Sequence, residues 1–188
     1  VFAYSNRAGD ERAIILYNNA YNTTAGWIRL STAINAGEAD APVKARRTLA
    51  EALGLNVDDR RYYVFRDHRT GLEYLRHSRR LAEEGLYSEL RGYQYCAFID
   101  FREVMDTDGS WGRLDARLGG EGVFNVDEAH RELVLEPILA PFRALMNAEM
   151  IGAFDKDLGD GKDMKDARAK IERALTAFLR AVREHVGS

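Results

Sequence analysis

Three acids, Asp100, Glu103 and Asp106, gather at the end of a long strand-like run, Tyr93 to Val104. Paired carboxylates are what glycosidic and phosphoryl chemistry require, but acids crowded on one short stretch are not thereby placed in one pocket. With a period of two, Asp100 and Arg102 share a face and can pair as ions. A solvated or ion-paired role is therefore the expectation for this group. The histidines are His68, His77, His130 and His185. None has a metal-ligand partner at helical or hairpin spacing. His68, beside Asp67 in the turn Asp67–Gly71, is expected to stabilise that turn. Asp155 to Asp166 imitates a calcium loop, but its glycine falls at the fifth position (Gly159) and its twelfth residue is Asp166, not glutamate. A surface loop is expected there. No Gly-x-Ser-x-Gly elbow is present. The sequence thus offers no catalytic set, no metal site and no cofactor motif. A small enzyme built on Asp100, Glu103 and His130 stands only as a third reading.

The aromatic residues suggest binding. Tyr21 and Trp27 flank a polar loop containing the glycosylation sequon Asn22-Thr23-Thr24, which marks the loop as exposed, and Trp111 sits in another loop. Rings beside Asn, Thr and Asp could stack on a pyranose while the polar groups bond its hydroxyls. Against this, Trp27 can equally plug the sheet core, and that is the expected role for it. Cys96 is alone, so no internal disulfide forms, and its apolar strand predicts a buried, inert thiol.

These residues need a scaffold. Ala13 to Tyr17 is a short apolar run, read as a strand buried on both faces and ended by Asn18-Asn19. Gly26 to Leu30 resumes extended, so that the two strands meet across the Asn/Thr loop. Val1 to Asn6 and the run from Ala13 predict a hairpin with a loop of about four or five residues. Arg61–Arg66 and Leu72–Arg76 predict a second hairpin. In Tyr93 to Val104, alternation places Tyr93, Tyr95, Ala97, Ile99 and Phe101 on a wholly apolar face, and Gln94, Cys96, Phe98, Asp100 and Arg102 on a mixed one. Pro42 is read as opening a helix through Leu53, closed by Gly54. Helices are also expected over Ser78–Glu84, Trp111–Leu118 and from Val126, the last capped by Asn125 with Glu128. Pro137 and Pro141 should break that helix into pieces. Lys165 to Val186 carries an apolar stripe of Ile171, Leu175, Phe178, Leu179, Val182 and Val186. The expected class is α+β: an antiparallel, sandwich-like sheet region with one or two inserted helices over 1–106, then a mainly helical segment over 107–188 packed on it.

The whole chain narrows the partners. It has 188 residues, 46% hydrophobic, 30% charged, with a net charge of −3. No basic block dominates, which argues against nucleic acid, and no apolar run is long enough to span a membrane. No signal peptide is recognisable, and a chain opening on Val1 inside a strand reads as an excised piece. The compartment is not fixed, with the cytoplasm as the default.

Glu11–Ser31, Tyr62–Arg76 and Leu90–Asp106, together with Gly119–Met146, resemble the region after the catalytic barrel in bacterial α-amylase-family glycoside hydrolases. The resemblance covers about a third of the chain, or somewhat more with the last stretch, and it includes no catalytic signature. It implies a non-catalytic C-terminal module that packs on and stabilises the upstream barrel of the same polypeptide, with Tyr21, Trp27 and Trp111 as candidates for α-glucan contact. The family's catalytic carboxylates lie on barrel strands. A barrel of about 250 residues exceeds this chain, so none is carried over. The alternative is a free-standing interaction module that docks a partner through the Lys165–Val186 helix.

Overall fold

The computed structural model describes residues 1–38, 40, 43–147, 152 and 164–186. The first strands are β1 (Phe2–Ala8) and β2 (Glu11–Tyr17), an antiparallel hairpin. Ala8 pairs with Glu11, so the turn is only Gly9-Asp10, with Gly9 at φ 61°. It is shorter than the sequence suggested, because both strands keep pairing into the polar stretch. β6 (Arg61–Asp67) and β7 (Glu73–His77) form the second hairpin, as expected. β9 (Tyr95–Met105) joins the two, giving one antiparallel sheet ordered β1-β2-β9-β6-β7. Two ribbons accompany it: β3 (Thr24–Ile28) with β8 (Leu86–Leu90), and β4 (Ile34–Asn35) with β5 (Lys44–Ala45). The helices are α1 (Leu49–Leu53), α2 (Ser78–Glu83), α3 (Ser110–Leu118), α4 (Val126–Leu145) and α5 (Met164–Val186). The class is α+β with antiparallel sheets. The chain divides into units 1–130 and 131–188, later than the change of composition after Asp106.

In the first unit the core lies on one face of the five-stranded sheet. Ile14 and Leu16 of β2, Tyr63 and Phe65 of β6, and Cys96, Phe98 and Phe101 of β9 meet Leu49, Ala50 and Leu53 of α1, Leu81 of α2, and Leu86 and Leu90 of β8. Phe65 stacks on Phe101 at 4.7 Å and meets Phe98 edge-on at 5.4 Å. Only alternate residues of β2 are buried, so this strand is not covered on both faces as predicted. Nor do β2 and β3 meet as neighbours: β3 pairs with β8, a partner sixty residues on that local pattern cannot reveal.

The face assignment of β9 is also corrected. Asp100 adopts φ 56°, and the register slips so that Val64 faces Arg102 while Arg66 faces Ile99. This is a β-bulge, one extra residue that breaks the period of two. Phe101 therefore joins Cys96 and Phe98 on the core face. Tyr95, Ala97 and Ile99 point the other way, and none of them is buried. Strict alternation had reversed the core and outer faces of the strand before the bulge. On that second face, Val64 and Leu75 are buried, α3 packs on β7, and Gly112 lies against the Tyr62 hydroxyl.

The helices follow their caps. Pro42 lies outside the described residues, and the stretch after it forms β5, not helix. α1 starts later, where Thr48 and Glu51 close a complete capping box and Gly54 ends the helix in αL, as its position after Leu53 implied. Gly119 closes α3 in αL. Asn125 Oδ1 accepts from Glu128 N at 2.9 Å, the cap read from sequence. Pro137 and Pro141 do not divide the helix: α4 carries both. They are four residues apart and so lie on one side, leaving hydrogen bonding on the rest of the cylinder intact. In the second unit, Phe142 of α4 meets Phe178 of α5 at 5.6 Å, while Leu175 and Leu179 remain exposed.

Candidate functional site

The candidate binding aromatics occupy three different settings. Tyr21 is 85% exposed, on a connection organised by a residue that sequence reading treated only as a strand terminator. Buried Asn18 donates through Nδ2 to the carbonyls of Asn22 (2.7 Å), Arg91 (3.0 Å) and Leu90 (3.3 Å), tying the β2–β3 connection to the end of β8. Trp27 is 52% exposed and meets Tyr87 edge-on at 5.4 Å. It does not plug the core, because its neighbour Ile28 takes the inward position on β3. Trp111 lies in the first turn of α3, stacked on His130 at 3.9 Å and 5°. Trp27 is paired with Tyr87 and Trp111 with His130, so the three rings build no common platform.

The acids diverge too. Asp100, turned outward by the bulge, pairs with Arg66, and Arg102 pairs with Asp127 at 2.8 Å. The anticipated Asp100–Arg102 pair is therefore not formed. Glu103 pairs with Arg61 and accepts from the Tyr63 hydroxyl (3.0 Å) and Asn56 Nδ2 (3.1 Å). Buried Asp106 accepts from the backbone N–H of Gly112 at 2.9 Å. Glu103 shares the face of Tyr63, whereas His130 belongs with Arg102 and Asp127 on the other, so Asp100, Glu103 and His130 do not converge. His68 also differs from its expected role. The turn is held by Asp67, whose carboxylate accepts from Arg69 N (3.1 Å) and Thr70 Oγ1 (2.9 Å), while the His68 backbone N–H donates to Ala97 O. His77 caps α2, accepting from Arg79 N at Nδ1. Among the described residues no group of three His, Cys, Asp or Glu could hold a metal ion. The Asp155–Asp166 stretch lies almost wholly outside the described residues.

The tightest polar cluster sits where α3 begins. Asp108 Oδ1 accepts from Ser110 N (3.0 Å) and Ser110 Oγ (2.5 Å), and Ser110 Oγ contacts His130 Nε2 at 2.7 Å. The serine proton is committed to Asp108, so the histidine nitrogen must be the donor in the second contact. Side-chain and backbone bonds from Ser110 hold the Asp108 carboxyl below its ordinary pKa. A hydrolytic triad needs the reverse order, with acid on histidine and histidine drawing the serine proton. Ser110 is moreover 1% exposed. The cluster is a clasp between α3 and the start of α4. Nearby, burial pushes the Asp115 carboxyl up against the opposing pull of Arg80 and Arg76, and lowers Arg76, which donates to Gly120 O.

What sequence reading missed is a surface. On the second face of the sheet, register puts Phe2 beside Tyr17 and Tyr4 beside Ile15, then Tyr17 beside Tyr95 and Ile15 beside Ala97. Phe2, Tyr4 and Tyr95 are each about half exposed, at 52%, 58% and 48%. α3 covers the β7 side of this face, and among the described residues no helix is shown to pack on the β1–β2–β9 end. The signal was present in Phe2, Tyr4 and Tyr95, but it required knowing where the bulge falls. No family model, curated protein or solved structure matches the chain.

Proposed function

We propose that this chain is a non-catalytic module that packs through the aromatic face of β1, β2 and β9 against the catalytic barrel of an α-amylase-like glycoside hydrolase. The single observation that supports the reading is the patch of exposed Phe2, Tyr4 and Tyr95 around half-buried Tyr17. Tyrosine and phenylalanine are enriched at the centres of protein interfaces, where a ring contributes large area at low conformational entropy. The identity of the occupant comes from the sequence resemblance. The dispersal of Asp100, Glu103 and Asp106 into separate ion pairs and caps accords with a scaffold role.

The test is association between this chain and a separately produced barrel encoded upstream in the same reading frame, followed by calorimetry. Micromolar or tighter binding is expected, together with a raised melting temperature of the barrel. Both should be lost in a Tyr4→Ser/Tyr95→Ser variant that keeps its circular dichroism spectrum. Absence of binding would overturn the reading. A second reading, an interaction module using α5, is favoured by the exposure of Leu175 and Leu179. It predicts instead that Leu175→Ser/Leu179→Ser removes binding to a partner.

A further inference from the structure

Beside the inward face of β1 runs a groove of about 520 Å³, bounded by Ser5 and Ile14 of the hairpin, the segment after Trp27, and α1. Arg29 and Arg47 line it, and among the described residues no aspartate or glutamate does, in a chain whose acids outnumber its Lys and Arg by 30 to 27. Among the described residues neither guanidinium has a hydrogen-bond or ion-pair partner. Glu51 lies near enough for Arg47 to act on its charge, but its carboxylate is engaged by the Thr48 backbone N–H (2.7 Å) and hydroxyl (3.0 Å). Trp27, an exposed indole, lines the same groove. The Glu51 carboxylate balances at most one of the two charges, so the groove keeps a positive excess that a bound anion would offset. The guanidinium fork fits phosphate oxygens two at a time, and an indole offers a flat apolar face to a ring. The volume falls within the roughly 300–1,000 Å³ of small-ligand sites. A nucleic-acid strand would need a longer basic track.

We propose that this groove binds a small phosphomonoester carried on a ring, a sugar phosphate or a nucleotide, with Arg29 and Arg47 on the phosphate and Trp27 against the ring. This goes beyond the packing role and does not rest on it.

The experiment is titration calorimetry of the full chain at low salt with four probes: glucose 1-phosphate, AMP, inorganic phosphate and maltose. At least one phosphomonoester is expected to bind about tenfold or more tighter than both inorganic phosphate and maltose. Preference for glucose 1-phosphate assigns a sugar-phosphate site, and preference for AMP a nucleotide site. Arg29→Gln and Arg47→Gln should each weaken binding about tenfold, and the double variant should abolish it. Both side chains are exposed, so native circular dichroism is expected throughout. The Arg29→Lys/Arg47→Lys pair keeps the charge but loses the fork, and should bind with intermediate affinity, which separates loss of recognition from misfolding. The proposal is overturned if neither ester binds more tightly than inorganic phosphate, if binding survives the double Gln replacement, or if maltose is the tightest probe. None of these outcomes bears on association with a barrel.

Discussion

Asp100 carries a positive φ that a side chain other than glycine adopts at a cost, and aspartate is among the few that tolerate it. Asp100→Val should lose about 1–2 kcal/mol of stability, whereas Asp100→Gly should stay within about 1 kcal/mol of the parent, because glycine relieves the strain while giving up only an exposed ion pair. Chemical denaturation of the two variants checks this, and equal losses would contradict it. The same bulge separates two neighbouring positions. Phe98→Asp should prevent folding, since an unpaired carboxylate against Phe65 and Tyr74 costs several kcal/mol out of roughly 5–15 available. Ile99→Asp, on the outer face, should yield a soluble native-like protein. A strict alternation of side chains predicts the reverse pair of outcomes, so expression and circular dichroism of both variants decide. A third residue-scale test concerns the clasp. Asp108 titrates below its ordinary value in the folded chain because of Ser110, so the folded state holds fewer protons there than the unfolded state at acid pH. Its stabilising contribution is fully present above the unfolded value, about 3.9, and fades as pH falls through the lower folded value. Asp108→Asn should therefore melt lower than the parent at neutral pH. The gap should narrow below about pH 4, when measured by thermal denaturation across pH.

At the scale of elements, helix ends were legible and strand partners were not. Gly54, Gly119 and Asn125 act through their own few neighbours, so their caps could be read locally. The start of α1 was misplaced because Pro42 offers a helix-opening signal, while Thr48-x-x-Glu51 offers a stronger one six residues later that also satisfies two backbone donors. Thr48→Ala should destabilise by about 1 kcal/mol in chemical denaturation, more than a five-residue helix suggests, because α1 contributes Leu49, Ala50 and Leu53 to the core. The pairing of β3 with β8 could not be read, since nothing in either strand specifies a partner at that separation. The bulge was invisible for a related reason: it appears only when β9 is laid against β6. The same blindness explains the candidate aromatics. Whether Trp27 is buried depends on which way Ile28 points, and that is set by the core, not by the loop.

For the molecule as a whole, the expectation is that the chain alone releases no reducing sugar from soluble starch. Two carboxylates would have to stand about 5–10 Å apart across a groove, and Asp100, Glu103 and Asp106 are each held by different partners. Reducing-sugar assays on rigorously purified protein check this; turnover lost in Glu103→Gln would refute it. The two edges of the sheet are meanwhile treated differently. β7 is guarded, because Glu73 and Val123 exchange backbone hydrogen bonds at 2.7 and 2.9 Å and so occupy its outer side. β1 has all seven residues exposed, and its outer row of N–H and C=O groups meets no strand among the described residues. It contains no proline or lysine, and its one charged residue, Arg7, lies at the hairpin end with its guanidinium beside Gly54, away from the Phe2–Tyr4 end. In a purified sample, this open row next to Phe2 and Tyr4 is a template on which a second molecule can continue the sheet. Handling of the protein will therefore be governed by concentration: strand-to-strand dimers, then larger β-rich assemblies, should accumulate as it is concentrated, and a single Ala3→Lys change at the edge should keep it monodisperse.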